Sequence, residues 1–229
     1  MRAVSLQNSQ KPPIIGVDAS RCSVPQRTGT ENYSLQMIKA LIARKTSYRW
    51  RLYYRDSPIS SLFPTSSLVE SKVMTSPITW THLRLSAELA FNPPDLLFVP
   101  AHVLPIYCPI PSVVTVHDLG FMHYPNMHPP LQLAYLRWST SHNVRHASHV
   151  IADSEATKKD IISHYQIDPT KITVVYPGFD SELYANPNQK DIFPNLPDSY
   201  ILHVGTLHPR KGLAVLLKAI AQLRERNIN

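Results

Sequence analysis

Short apolar runs alternate with segments of helical period along most of this chain, and that alternation restricts the fold more than any other feature. Ile14-Ile15-Gly16-Val17-Asp18 is a compact apolar run ending in an acid, the pattern of a strand covered on both faces. Further strands are predicted over 49–54, 95–99, 112–116, 150–152 and 172–176. Between the first two, Tyr33, Met37 and Leu41 recur at four-residue intervals, and Leu35, Ile38 and Ile42 widen the stripe. This spacing predicts a half-buried helix over 30–44, and Thr28 and Glu31 are spaced as a capping box at its start. Further helices are predicted over 80–91, stopped by Asn92-Pro93-Pro94, over 131–149, entered through Pro129-Pro130, and from the Ser154 cap to Tyr165. Residues 56–77 are rich in Ser and Pro and read as loops with room for one short element. Strands alternating with helices of this length form βαβ units, so the expected class is α/β with a Rossmann-like parallel sheet.

The pattern breaks after Gly178. Residues 180–199 are polar and contain Pro187, Pro194 and Pro197, as an interdomain linker would. Tyr200 to Val204 then reads as a fresh buried strand, Gly205 to Lys211 as a loop, and Gly212 to Arg226 as an amphipathic helix. The expected organisation is a first domain over 1–179, a linker over 180–199, and the first βα unit of a second domain over 200–229. One strand and one helix bury no core of their own, so the chain is expected to stop within that second domain.

With 43% hydrophobic and 17% charged residues, the chain can bury a core and is excluded from the disordered class. A formal charge of +7 suits an anionic partner: a nucleic acid, a nucleotide diphosphate or an anionic membrane surface. Cys22 and Cys108 stand far apart and imply no disulfide framework. Met1 to Pro13 is polar, with no signal-peptide core, and no apolar window reaches spanning length. The expectation is a cytoplasmic protein in a reducing compartment, compatible with peripheral contact at the inner membrane face.

Three loops could carry chemistry. Gly205-Thr206-Leu207-His208-Pro209-Arg210-Lys211-Gly212 lies between a predicted strand and helix. Backbone N–H groups at a helix start, with Arg210 and Lys211 beside them, suit a diphosphate; a loop with solvated cations is the plain alternative. Thr28-Gly29-Thr30-Glu31-Asn32-Tyr33 is a second strand-to-helix turn, where Gly29 permits close approach to the backbone and a simple cap serves equally well. His117-Asp118 stands at the carboxyl end of a buried strand, the edge at which open α/β sheets bind ligands. A histidine there can orient a hydroxyl or pass a proton, or the pair can simply finish the strand. His117, Asp118, His123 and His128 match no zinc spacing, and no metal is expected. Arg44, Lys45, Arg49, Arg51 and Arg55 interleave with Tyr48, Trp50, Tyr53 and Tyr54. Nucleic-acid and membrane sites use that mixture, although a strand with a solvated basic face explains it more simply.

Six pieces in order resemble the family 4 glycosyltransferases, a retaining group with the GT-B fold. They are Ile15 to Ala19, Arg27 to Tyr33, Val113 to Leu119, Ile151 to Ile161, Val174 to Asp180 and His203 to Leu213. The resemblance implies two Rossmann-like domains facing a cleft, the first holding the acceptor and the second most of the nucleotide-sugar donor. It implies transfer of a mannose- or glucose-type hexose from a nucleoside diphosphate to a glycan or lipid-linked acceptor with retention, as in polysaccharide biosynthesis. It implies no cofactor and no dedicated metal. By resemblance, Gly29, Gly205, Thr206, Arg210 and Lys211 face the donor diphosphate, and His117, with Asp118 beside it, lies by the transferred sugar. Thr206 stands where some relatives carry an Arg, and the family's downstream glutamate pair lies beyond Asn229. A non-catalytic binding module derived from the family is the rival reading. A nucleic-acid-binding protein is disfavoured because no recognition module is present.

Overall fold

The computed structural model describes residues 11–226 except 25, 45, 59–61, 65, 77–78, 102, 182–196, 198–199, 206 and 208, and only the backbone at Arg210. Strands β1 (Ile14–Asp18), β2 (Arg49–Tyr54), β3 (Val69–Val73), β4 (Leu96–Val99), β5 (Ser112–Val116), β6 (His149–Ala152) and β7 (Ile172–Val174) form one sheet. Its order is β3-β2-β1-β4-β5-β6-β7, and every pairing is parallel. The expected α/β class is therefore observed. The short element allowed for within 56–77 is β3.

Helix α1 (Gly29–Ala43) crosses from β1 to β2. A π-helical segment (Trp80–Leu85) continued by α2 (Ser86–Phe91) leads to β4. A short α3 (Gly120–His123) and the long α4 (Pro130–His146) join β5 to β6, and α5 (Glu155–Tyr165) joins β6 to β7. Side chains alternate across the strands, so the sheet supplies two cores. Val17, Leu52, Tyr54 and Phe98 pack with Leu35 and Ile38 of α1. Leu97, Val99, Val114, Val116 and Val150 pack with Leu85, Leu89, Val144 and Ile161 of the other helices. Strand order reverses between β1 and β4, which opens a crevice above their carboxyl ends.

Gly16 shows how tightly β1 is held. A Cβ there would stand 2.7 Å from Pro94 Cγ and 2.9 Å from Tyr53 Cε2. Gly16→Ala is expected to destabilise the domain by ~1–3 kcal/mol through overpacking. Thermal unfolding followed by circular dichroism checks this, and an unchanged midpoint would contradict the packing described.

Two expectations are corrected. Tyr200 to Val204 forms no strand: Tyr200, Ile201, Leu202 and Val204 are exposed, and the sheet among the described residues gives them no partner. The last helix, α6 (Leu213–Glu225), does form, but it buries no residue. Most of the expected linker lies outside the described residues. Three of the four aromatic residues of the basic segment are also not a surface; Tyr48 alone of them is exposed. Trp50, Tyr53 and Tyr54 are core, and Arg51 Nε is bonded at 3.0 Å to Glu70 Oε2. The aromatic residues of β2 are therefore unavailable for stacking on a partner. Both cysteines are free. Among the described residues, no helix is long and apolar enough to cross a membrane.

Candidate active site

Strands β4, β5 and β6 are neighbours, so the residues that follow them meet above the sheet. Pro100 follows β4, His117 follows β5 and Asp153 follows β6. His117 Nδ1 lies 2.6 Å from Asp153 Oδ2, and its Nε2 lies 3.1 Å from the Pro100 carbonyl oxygen. A neutral imidazole has one N–H, so both acceptors are met only when both ring nitrogens donate. The main chain at His117 is also held: Thr157 Oγ1 donates to its carbonyl at 3.1 Å. Thr157 is fixed in turn by Ser154, whose Oγ accepts the Thr157 N–H at 3.1 Å and caps α5.

Tyr33 completes the group from α1. Its ring meets that of His117 edge-on, with centroids 4.8 Å apart at 83°. Its hydroxyl is 3.5 Å from Thr115 Oγ1. Burial pushes the Tyr33 phenol above its usual range; the Thr115 contact opposes this and the Asp153 charge reinforces it. Tyr33 thus sets a protonated phenol next to the His117–Asp153 pair. The second carboxylate oxygen of Asp153, Oδ1, is buried and has no hydrogen-bond partner among the described residues.

A cavity of about 510 Å³ opens over this edge, within the size range of small-molecule sites. His117, Asp118, Arg21, Gln132 and Tyr135 are among its walls. They offer charge, amide and hydroxyl groups and an aromatic face, the mixture that polar polyols require. A second cavity of about 300 Å³ is walled by Gly29, Asn32, Tyr33, Gln36, Pro177 and Gly178. Tyr33 therefore joins the Gly29 turn to His117. A Cβ at Gly29 would meet nothing within 4 Å, so the helix start is open to approach.

The remaining predicted positions divide. Asp118 is exposed, and its Oδ1 accepts the Gly120 N–H at 2.8 Å; it shapes the turn into α3 and does not touch His117 in any bond described. Lys211 packs its side chain against Gly205, with Cδ 3.9 Å from where a Gly205 Cβ would stand. Thr206 and the Arg210 side chain lie outside the described residues. Sequence reasoning gave no role to Asp153 or the Pro100 carbonyl and named Tyr33 only within the Gly29 turn. The available signal was an acid immediately after an apolar run, in the strand next to the one that bears His117.

The sequence profile described as Glycosyltransferase Family 4 matches residues 27–183, more than half of the chain. The D-inositol 3-phosphate glycosyltransferase of Corynebacterium glutamicum (strain R) is 34% identical over 91 residues, covering 37% of this chain and 22% of that protein. The O-antigen chain mannosyltransferase RfbU of Salmonella typhimurium is 26% identical over 136 residues, 59% of this chain and 35% of its own. The O-antigen chain mannosyltransferase B of Escherichia coli is 22% identical over 216 residues, 84% of this chain and 56% of its own. The chain thus spans between 22% and 56% of the length of these relatives.

Proposed function

The chain belongs to the family 4 glycosyltransferases, and on that premise we propose that it is the acceptor-side part of a retaining hexosyltransferase. The reaction moves a mannose- or glucose-type sugar from a nucleoside diphosphate to a glycan or lipid-linked acceptor. The observation that carries this reading is the His117–Asp153 pair at the carboxyl edge of the sheet, opening onto a cavity of about 510 Å³. The relatives named as mannosyltransferases support the choice of hexose class.

The chemistry follows from where charge develops. Breaking the bond between the anomeric carbon and the diphosphate leaves negative charge on phosphate oxygens, and preorganised cations stabilise it. Arg210 and Lys211 supply those cations in this reading. No dedicated metal is then required. His117 serves as a fixed group and not as a mobile base, because both of its nitrogens already have protein partners. Its ring, held from both sides, orients the transferred sugar. Arg21, Gln132 and Tyr135 receive the acceptor. The acceptor hydroxyl passes its proton to the departing phosphate oxygen as its own oxygen bonds the anomeric carbon from the same face. Configuration is thereby kept without a covalent protein intermediate.

Calorimetry tests the donor part of this reading. A polypeptide joining this chain to a complete second domain is titrated with nucleoside diphosphates and their hexose derivatives. Saturable binding of one nucleotide series is expected; failure of every member to bind would reject the assignment.

A further inference from the structure

The loops that carry His117 and Asp153 run directly into α3 and α5, and these two helices present three metal-ligating side chains to one another. α3 ends at His123, while Asp160 and His164 stand four residues apart on α5, on one helical face. His123 Nε2 lies 2.8 Å from Asp160 Oδ2. The His123 and His164 rings are 6.0 Å apart between centroids. One ligand atom from each of the three residues falls within 4.8 Å of the other two. We propose that His123, Asp160 and His164 form a zinc site that clamps α3 to α5 beside the candidate active site.

Two imidazole nitrogens and one carboxylate oxygen suit zinc, whereas a hard cation such as magnesium selects oxygen ligands. Tetrahedral ligands with bonds of ~2.0 Å stand roughly 3.3 Å from each other, so small rotations of the side chains close the set. Those rotations are open to them: His123 and His164 are exposed and Asp160 is half-buried. The hydrogen bond between His123 and Asp160 already brings two ligands together. Zinc must take the place of the proton shared on that bond, so binding weakens as the pH falls. Solvent is free to supply a fourth ligand.

The position gives the ion a structural task. Gly120, the first residue of α3, is tied to Asp118, and Ser154 caps α5 next to Asp153. A clamp between the far end of α3 and the second half of α5 fixes the two loops that hold the His117–Asp153 pair. The histidine run over 117–128 shows no zinc spacing because two of the three ligands come from α5.

The test is calorimetric titration of the purified 229-residue chain with zinc chloride at neutral pH, with a non-thiol reductant present. One equivalent is expected to bind, with a dissociation constant on the order of micromolar, and to raise the unfolding midpoint. His123→Gln and His164→Gln are each expected to weaken binding at least about tenfold while leaving the zinc-free midpoint unchanged. Magnesium chloride is expected to give no binding. His142 and His146 on α4, with ring centroids 4.5 Å apart, are the competing location, and His146→Gln is expected to change nothing. Absence of zinc binding, binding that survives both α3 and α5 substitutions, or binding abolished by His146→Gln would each overturn the proposal.

Discussion

Asp153→Ala is expected to lower kcat for hexosyl transfer roughly 10²–10³-fold, about as far as His117→Ala, in a polypeptide that carries this chain and a complete second domain. Asp153 accepts from His117 Nδ1 at 2.6 Å, and the opposite nitrogen faces the Pro100 carbonyl at 3.1 Å. Without the carboxylate, nothing on that side sets the ring plane, and Nδ1 loses its partner. Asp153 acts through His117 in this account, so the double variant should cost little more than either single one, as for groups that work as a unit. The measurement is kcat at saturating donor, with unfolding midpoints recorded for every variant. Additive losses in the double variant would separate the two residues, and an Asp153→Ala protein within twofold of wild type would remove Asp153 from the site.

The second large effect concerns the donor. Arg210→Ala with Lys211→Ala is expected to weaken nucleoside diphosphate binding ~10²–10⁴-fold, because each charge-assisted contact contributes roughly 1.5–3 kcal/mol. Among the described residues the sheet takes no strand beyond β7 (Ile172–Val174), so the unfolding midpoint of the first domain should hold. Calorimetry with the matching nucleotide reads the change, and the wild-type affinity should fall more steeply with salt than that of the variant. Equal affinities would move the diphosphate away from this loop.

Much of the fold was legible because the residues that make it are local. Ile14 to Asp18 and Ser112 to Val116 are short apolar runs with no competing helical period, and both are strands with the predicted bounds. Ser154 caps α5 as its position suggested. The failures share a different cause. Tyr200 to Val204 is as apolar as any strand here, yet a strand exists only when a partner satisfies its backbone, and none is present among the described residues. Trp50, Tyr53 and Tyr54 left a stacking surface open beside the simpler solvated strand, because sequence shows residue type and not burial; the sheet places all three in the core.

The site divides in the same way. The place of His117 at the carboxyl end of β5 was legible from the apolar run before it, and strand ends are ligand edges in α/β sheets. Asp118 was chosen as its companion because it is adjacent in sequence. The companion in space is Asp153, 36 residues further on. Only the pairing of β5 with β6, Val116 opposite Ala152, places the following residues side by side. Tyr33 was visible as part of a turn, but its contact with His117 depends on how α1 lies over the sheet.

The central claim is that this fold, with a complete second domain, transfers a hexose with retention at a site that includes His117. Its most direct test follows the anomeric proton of the product by nuclear magnetic resonance, with mannosyl and glucosyl nucleoside diphosphates offered to glycan and lipid-linked acceptors. The account predicts transfer from one of these donors, the anomeric configuration of the donor kept in the product, and loss of that signal in His117→Ala. Inverted product, or transfer undiminished in His117→Ala, would contradict it.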